Sequence, residues 1–299
     1  MKSYDTIVIG AGMSGLAAAS EICKANQSVI VLEARDRIGG RLATEKLVDG
    51  LIIEKGGGLI HGTNNLMYTR IKELGIEIQE LKKEEDDVGV IETIQLLFIV
   101  LLLRLNWHPK PKIDESIDEY VDRLPFFPKS LRKFLDFASL DIETFDKVSA
   151  LFFIGIVRKM IIEGEMYLDH DFLIKDGYIT FLEHLAKDLP IAFNHAVTKI
   201  IWQDDQVVVE TNQGSHSAQK VVLTVPIPIL KKMDFEPELP QEKQTAISAF
   251  APGDILKIVI PVQKKAFKTK FEEGFIKDAK FVPVWWRRNL DGDTPEDRL

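Results

Sequence analysis

Three glycines at G-x-G-x-x-G spacing, Gly10, Gly12 and Gly15, stand near the amino end, with a carboxylate, Glu33, a short way beyond them. Residues of these types at this spacing bind a dinucleotide. Gly10 permits a tight turn, Gly12 lets the backbone approach a pyrophosphate, and Gly15 lets a helix pack close to a strand. Glu33 can accept both hydroxyls of an adenosine ribose and would repel a 2′-phosphate, which argues against NADP. The stretch Glu33-Ala34-Arg35-Asp36-Arg37-Ile38-Gly39-Gly40-Arg41 adds two glycines that let the chain hug a cofactor. Its last residue, Arg41, can neutralise pyrophosphate charge. Gly56-Gly57-Gly58 are side-chain-free in succession, which suits a backbone lying against a flat ring. His61 follows, a group that exchanges protons near neutral pH. Lys257 lies in the otherwise apolar run Ile255 to Pro261, and Glu54 is a weaker candidate.

Positioning these residues requires a strand, a helix and a second strand. Thr6 to Ile9 is a short β-branched run, the pattern of a buried parallel strand. Leu16 to Ala25 is rich in alanine and predicts a helix whose N-terminus faces the phosphates. Ser28 to Leu32 predicts the second strand, with Glu33 at its end. This is the context that the glycine motif requires. Farther on, Met67 to Leu74 predicts a helix, and Lys82 to Asp87 a solvated charged stretch. Residues 88–172 read as mostly helical, with Ile117, Tyr120, Val121 and Leu124 at helical spacing. Asp176-Gly177-Tyr178 is a turn into a helix that carries Phe181, Leu182, Leu185 and Leu189 on one face. Period-two patterning then predicts a hairpin, Val197 to Trp202 and Val207 to Thr211, around Asp204-Asp205. Asn212-Gln213-Gly214 turns into a strand ended by Pro226. Gln241 to Phe250 predicts a helix and Ile255 to Val262 a strand.

A length of 299 residues suffices for two domains and a large core. The net charge of −8 gives no footprint for nucleic acid or an acidic membrane surface. Cys23 is the only cysteine, which rules out an intrachain disulfide and fits a reducing, cytoplasmic compartment. It is expected as a small buried hydrophobe on the first helix. There is no C-x-x-C, H-E-x-x-H or G-x-S-x-G, and the histidines do not cluster with other ligand types, so no metal site is expected. No secretory signal is visible. The most apolar stretch, Leu96 to Leu103, is too short to span a bilayer and is expected as a buried helix.

These motifs together resemble the flavin-containing amine oxidase family. Glu33 to Arg41 is similar to its E-A-x-x-R-x-G-G-R signature, and Gly56 to Gly62 to its G-x-x-W-I-H-G loop, with Leu59 in place of the aromatic. Asp176-Gly177-Tyr178 resembles its G-G-Y segment. Val197 to Val225 resembles the strand pair in which a backbone valine meets the adenine. The resemblance runs in order from residue 5 to about 270. It implies an α/β fold with a Rossmann-like FAD-binding domain, a helical insertion, and a second mixed α+β substrate domain that is C-terminally truncated. The implied boundaries are 1–80 plus 190–230 for the FAD-binding domain, 81–189 for the helical part of the substrate domain, and 231–299 for its sheet part. The family pattern continues beyond Leu299 with segments that close over the flavin and supply aromatics; Trp285 and Trp286 do not replace them.

The resemblance implies non-covalent FAD, contacted by Gly10, Gly12, Met13, Ser14, Gly15, Glu33, Ala34, Arg35, Gly40, Arg41, Gly57, Gly58, Leu59, Ile60 and Val197. It implies Lys257 and His61 as the catalytic residues, on the substrate side of the flavin. The implied reaction oxidises an amine CH–NH bond to an imine, with hydride transfer to flavin and reoxidation by O2 to H2O2. The expected partners are a small amine and O2, with an oligomer or a second chain completing the C-terminal part. The alternatives are a desaturase- or protoporphyrinogen-oxidase-like FAD enzyme, and a non-catalytic FAD-binding protein.

Overall fold

The computed structural model describes residues 3–47, 50, 52–81, 97–98, 100–113, 115–124, 146–163, 171–250 and 257–258, with strands at 273–275 and 284–286. In chain order its elements begin with β1 (Ser3–Ile9), α1 (Met13–Lys24), β2 (Val29–Leu32), β3 (Thr44–Lys46), β4 (Ile52–Glu54), β5 (Ile60–His61), α2 (Leu66–Glu73) and β6 (Ile78–Glu80). Next come α3 (Ile117–Asp122), α4 (Ala150–Glu163), β7 (Asp171–Ile174), α5 (Tyr178–Ala186), β8 (Ile191–Ala192), β9 (Val197–Trp202) and β10 (Val207–Thr211). The last are β11 (Gly214–Leu223), α6 (Ile227–Leu230), β12 (Asp234–Glu236), α7 (Gln241–Ala249), β13 (Glu273–Phe275) and β14 (Val284–Trp286).

The chain divides into two compact units. The first comprises Met1–Gly58, Leu74–Glu77 and Ile174–Pro252. Its centre is a seven-stranded sheet in the order β12-β9-β10-β11-β1-β2-β8. Strands β11, β1, β2 and β8 run parallel, and β10 pairs antiparallel to β11 and to β9. Alternation in β1 and β2 feeds both faces of the sheet. Val8, Val29 and Val31 meet Leu16 and Ala19 of α1 and Leu182 of α5 on one face. Ile7, Ile9, Ile30 and Leu32 meet Ile200, Val207 and Val209 on the other. Each fully buried aliphatic side chain of this kind contributes about 1.5–3 kcal/mol. Strands β1, β2, β9 and β10 start and stop within a few residues of their sequence-based expectation, β11 begins well before Val221, and the short edge strands β8 and β12 were not expected.

The second unit comprises Leu59–Glu73, Ile78–Leu173 and Gly253–Leu299. It holds the three-stranded sheet β5-β7-β6. Here the expectation of helix up to residue 172 needs correction, because Asp171–Ile174 is a strand buried at every position. A central strand covered on both faces loses the period-two signal and reads like a buried helix segment. Helix α3 starts at a capping box: Ser116 Oγ accepts from the Glu119 N–H, and the Ser116 N–H donates to the Glu119 carboxylate. Ile117, Tyr120 and Val121 then pack with Ala150 and Phe153 of α4.

Two burial expectations fail. Leu97, Phe98 and Leu101 are exposed, and among the described residues of the 96–103 stretch only Leu103 is buried. An all-apolar helix points side chains in every direction, and one packed face cannot cover them all. Cys23 is exposed rather than buried, on the outer side of α1. The charged stretch 82–87 and most of the strand expected over 255–262 lie outside the described residues. Lys257 and Ile258, which are described, belong to no strand.

One acid–base contact marks α3. The Glu115 carboxylate accepts from Arg123 Nε at 2.7 Å and Nη2 at 2.9 Å, and from the Lys112 N–H at 2.7 Å. Hydrogen bonding to Arg123 is the main cause that lowers its pKa from 4.5 to about 2. A lowered carboxylate pKa stabilises the folded state above the unfolded pKa, and that share is lost as pH falls towards about 2. Glu115→Gln is therefore expected to flatten the fall of the urea midpoint between pH 4.5 and 2. Parallel curves for the two proteins would contradict this.

Candidate functional site

In the first unit, two glycine loops are joined backbone to backbone. Gly10 has φ +104°, so β1 can turn at once into α1. A Cβ on Gly15 would lie 1.9 Å from the Gly10 carbonyl oxygen and 2.7 Å from Thr224 Oγ1. The Thr224 hydroxyl donates to the Ile9 carbonyl at 2.9 Å, so the segment after β11 pins the end of β1. The Gly39 N–H donates to the Ala11 carbonyl at 2.8 Å, and Gly12 and Gly39 form an isolated parallel bridge. A Cβ on Gly40 would come within 3.4 Å of Gly12 Cα.

Gly12 itself is different. A Cβ there would meet only the Gly39 carbonyl oxygen, at 3.9 Å, and its φ of −73° suits any residue. Nothing in the packing of the described residues demands glycine at this position. A group approaching the backbone from outside would demand it, and the N-terminus of α1 offers such a group N–H donors and a positive dipole end.

Glu33 closes the cradle. It is 7% exposed, and its carboxylate accepts from the Ala11 N–H at 2.7 Å and the Arg35 N–H at 2.9 Å. Each oxygen keeps a further acceptor position for a sugar hydroxyl. The Glu33 carbonyl accepts from the His195 N–H at 2.8 Å, which draws the segment leading to Val197 alongside the end of β2. Val197 is half-buried and opens β9 opposite Thr211. Ser14, Ala34, Arg35, Arg41 and Gly57 are exposed, and Met13, Gly40 and Gly58 half-exposed.

Two further residues organise the site: Arg37, which was not among the candidates, and Glu54, which the sequence offered only as a weaker one. Arg37 donates to three carbonyls of its own loop, Ile38 at 3.0 Å, Leu42 at 3.1 Å and Gly40 at 3.0 Å. Its rigid fork of donors sets the path of Gly39 and Gly40. Glu54 is 7% exposed, and its Oε1 accepts from the Tyr178 N–H and the Thr44 hydroxyl, both at 2.8 Å. The Thr44 Oγ1 accepts in turn from the Ile179 N–H. Gly177, the N-cap of α5, has no side chain to do this. Gly177 also has φ +82°, and a Cβ on it would lie 2.4 Å from Thr44 Cγ2. Glu54 Oε2 is buried without a hydrogen-bond partner among the described residues. Burial, with Glu54 nearby, raises the Tyr178 phenol above its ordinary range. Gly56 has a packing reason of its own: a Cβ there would overlap the Arg41 carbonyl.

In the second unit, Ile60 is buried and His61 ends β5 opposite Asp171 of β7. His61 Nδ1 lies 2.8 Å from Asp171 Oδ1, and Asp171 is 3% exposed. Asn65 Nδ2 donates to the carbonyls of His61 and Gly62, both at 2.9 Å. Leu59 and Lys257 are half-buried. Among the described residues no helix is long and apolar enough to cross a membrane.

The sequence pattern of the flavin containing amine oxidoreductases matches residues 13–159 and 126–286. The chain belongs to this family. It is 29% identical over 301 residues to the lysine-specific histone demethylase 1B of Mus musculus, covering 92% of this chain and 36% of that protein. It is 29% identical over 318 residues to a probable polyamine oxidase 4 of Arabidopsis thaliana, covering 92% and 60%. The structure of cyclohexylamine oxidase from Brevibacterium oxydans shares the fold, with a TM-score of 0.70 at 21% identity, over 83% of this chain and 63% of that one. The chain thus spans between about a third and two thirds of the length of the proteins it matches. FAD is the cofactor of such a family, and the residues present fit its ADP half: an open Gly12, a helix N-terminus and the buried carboxylate of Glu33.

These observations separate two glycines that look equivalent in sequence. Gly12→Ala is expected to fold with an unchanged melting temperature and to lose FAD affinity. Gly15→Ala is expected to destabilise the fold itself by about 1–3 kcal/mol, because backbone must move. Thermal melts with and without added FAD read both effects. Equal destabilisation by the two variants would contradict the assignment.

Proposed function

We propose that this chain is an FAD-dependent oxidoreductase that oxidises an amine CH–NH bond to an imine. Bound FAD supplies the hydride acceptor, which O2 regenerates with release of H2O2. The observation that carries the reading is the open backbone at Gly12 beside the buried Glu33, in a chain of the amine oxidoreductase family. Polyamine oxidase and cyclohexylamine oxidase among its relatives support an amine as substrate.

The chain's own residues have defined tasks in this reading. The α1 N-terminus and Arg41 hold the pyrophosphate. Glu33 orients the ribose, and Val197 meets the adenine through its backbone. Met13, Ser14, Gly15, Ala34, Arg35, Gly40, Gly57, Gly58, Leu59 and Ile60 complete the contacts. Non-covalent FAD is what the resemblance to the family implies. His61 and Lys257 act on the substrate side by resemblance to the family. His61 favours the neutral amine, and Lys257 orders a water. No side chain acts as a nucleophile; the protein positions the C–H bond and excludes water. A cytoplasmic setting fits the lone thiol.

Anaerobic addition of a panel of amines to the flavin-loaded chain tests the reading. The flavin absorbance bleaches if it is right. Lys257→Met is expected to slow that bleaching by about a hundredfold, the loss expected when the water it orders no longer helps to position the reacting groups. Bound flavin that no amine bleaches would favour a non-catalytic FAD-binding chain.

A further inference from the structure

The family resemblance singles out His61 by its motif; what holds the imidazole is a separate matter. Asp171 stands directly across from it in the β5–β7 pair. The Asp171 side chain is 5% exposed and that of His61 is 50% exposed. The two meet at 2.8 Å, Oδ1 to Nδ1. Asp171 is further fixed because its carbonyl accepts from the Leu81 N–H at 2.8 Å. The acceptor is therefore rigid and buried, and the ring it holds reaches solvent.

The chemistry of the pair has one consequence. An ionised carboxylate can only accept a hydrogen bond, so Nδ1 must carry the proton. In the neutral ring Nε2 is then left without one. We infer that Asp171 is a positioning residue that fixes His61 as the Nδ1–H tautomer, making Nε2 the acceptor for a proton of the substrate's ammonium group. The inference rests on the amine-oxidising reading above for its substrate, but not for the tautomer. In the step, the ammonium N–H bond breaks and an Nε2–H bond forms. The nitrogen keeps the electron pair, and the amine becomes neutral. The resulting imidazolium is stabilised by the carboxylate behind it. The opposite tautomer would present an N–H donor to the amine and could not take the proton.

The test reads the tautomer directly, by 15N NMR of the histidine rings in the 299-residue chain at a pH where His61 is neutral. His61→Gln assigns its signals among the six histidines. The wild-type ring is expected to show Nδ1 protonated and Nε2 bare. Asp171→Ala is expected to release this preference, and so is Asp171→Asn, whose amide can donate to Nδ1 and so admits the opposite tautomer. A wild-type ring protonated at Nε2 would overturn the inference, whether or not the alanine variant folds. So would an alanine variant that keeps the wild-type tautomer. In the flavin-loaded chain, Asp171→Ala should lower kcat/KM for an amine about a hundredfold, at the lower end of what a positioned base contributes. His61→Gln should lose as much, and the double variant no more. Independent, multiplying losses would contradict action through His61. An Nδ1–H ring in a chain whose flavin no amine bleaches keeps the pairing and overturns the amine chemistry instead.

Discussion

A carboxylate held out of water at the end of β2 is the constraint on which the first unit depends. Burying an ion costs several kcal/mol unless it is satisfied. Glu33 is satisfied by backbone N–H groups from both glycine loops that it touches, at Ala11 and at Arg35. One side chain thus registers the turn after β1 against the turn after β2. The same carboxylate keeps acceptor capacity for a ribose, so in the proposed function the group that assembles the cradle also reads the ligand.

Around it, the chain repeatedly uses backbone against backbone, where a side chain would not fit. Gly15 against Gly10, Gly40 against Gly12, and Gly56 against the Arg41 carbonyl are contacts that a single methyl would break or crowd. Such close approach removes freedom from the loops but supplies no side chains to hold them. Arg37 and Glu54 make up that deficit, the first by tying three carbonyls of its loop, the second by capping α5 across β3 and β4. A negative charge at the start of α5 also complements the helix dipole there. In the second unit, the buried Asp171 does the corresponding job for a single exposed ring.

Much of this was legible in the sequence because the signals are local. Strand β1, helix α1 and strand β2 show in β-branched runs, alanine content and glycine spacing, and the β9–β10 hairpin in its alternation about Asp204-Asp205. What could not be read is pairing across long separations. Glu54 and Tyr178 lie 124 residues apart, and His61 and Asp171 lie 110 apart. No periodicity announces such contacts. Arg37 sat in view inside the Glu33 to Arg41 stretch, but charge alone suggested the exposed Arg41 as the useful arginine. Strand β7 failed for a related reason: a strand buried on both faces loses its alternation. The exposure of Leu97, Phe98 and Leu101 shows that apolar content predicts helix well and burial poorly.

The central claim is that the first unit grips the adenosine end of its cofactor, through Gly12, Glu33 and Val197. Equilibrium dialysis of the chain against FAD and against FMN, which lacks that end, tests it most directly. The account predicts that FAD binds at least about a hundredfold more tightly, roughly 2.7 kcal/mol. Equal retention of the two flavins would contradict it.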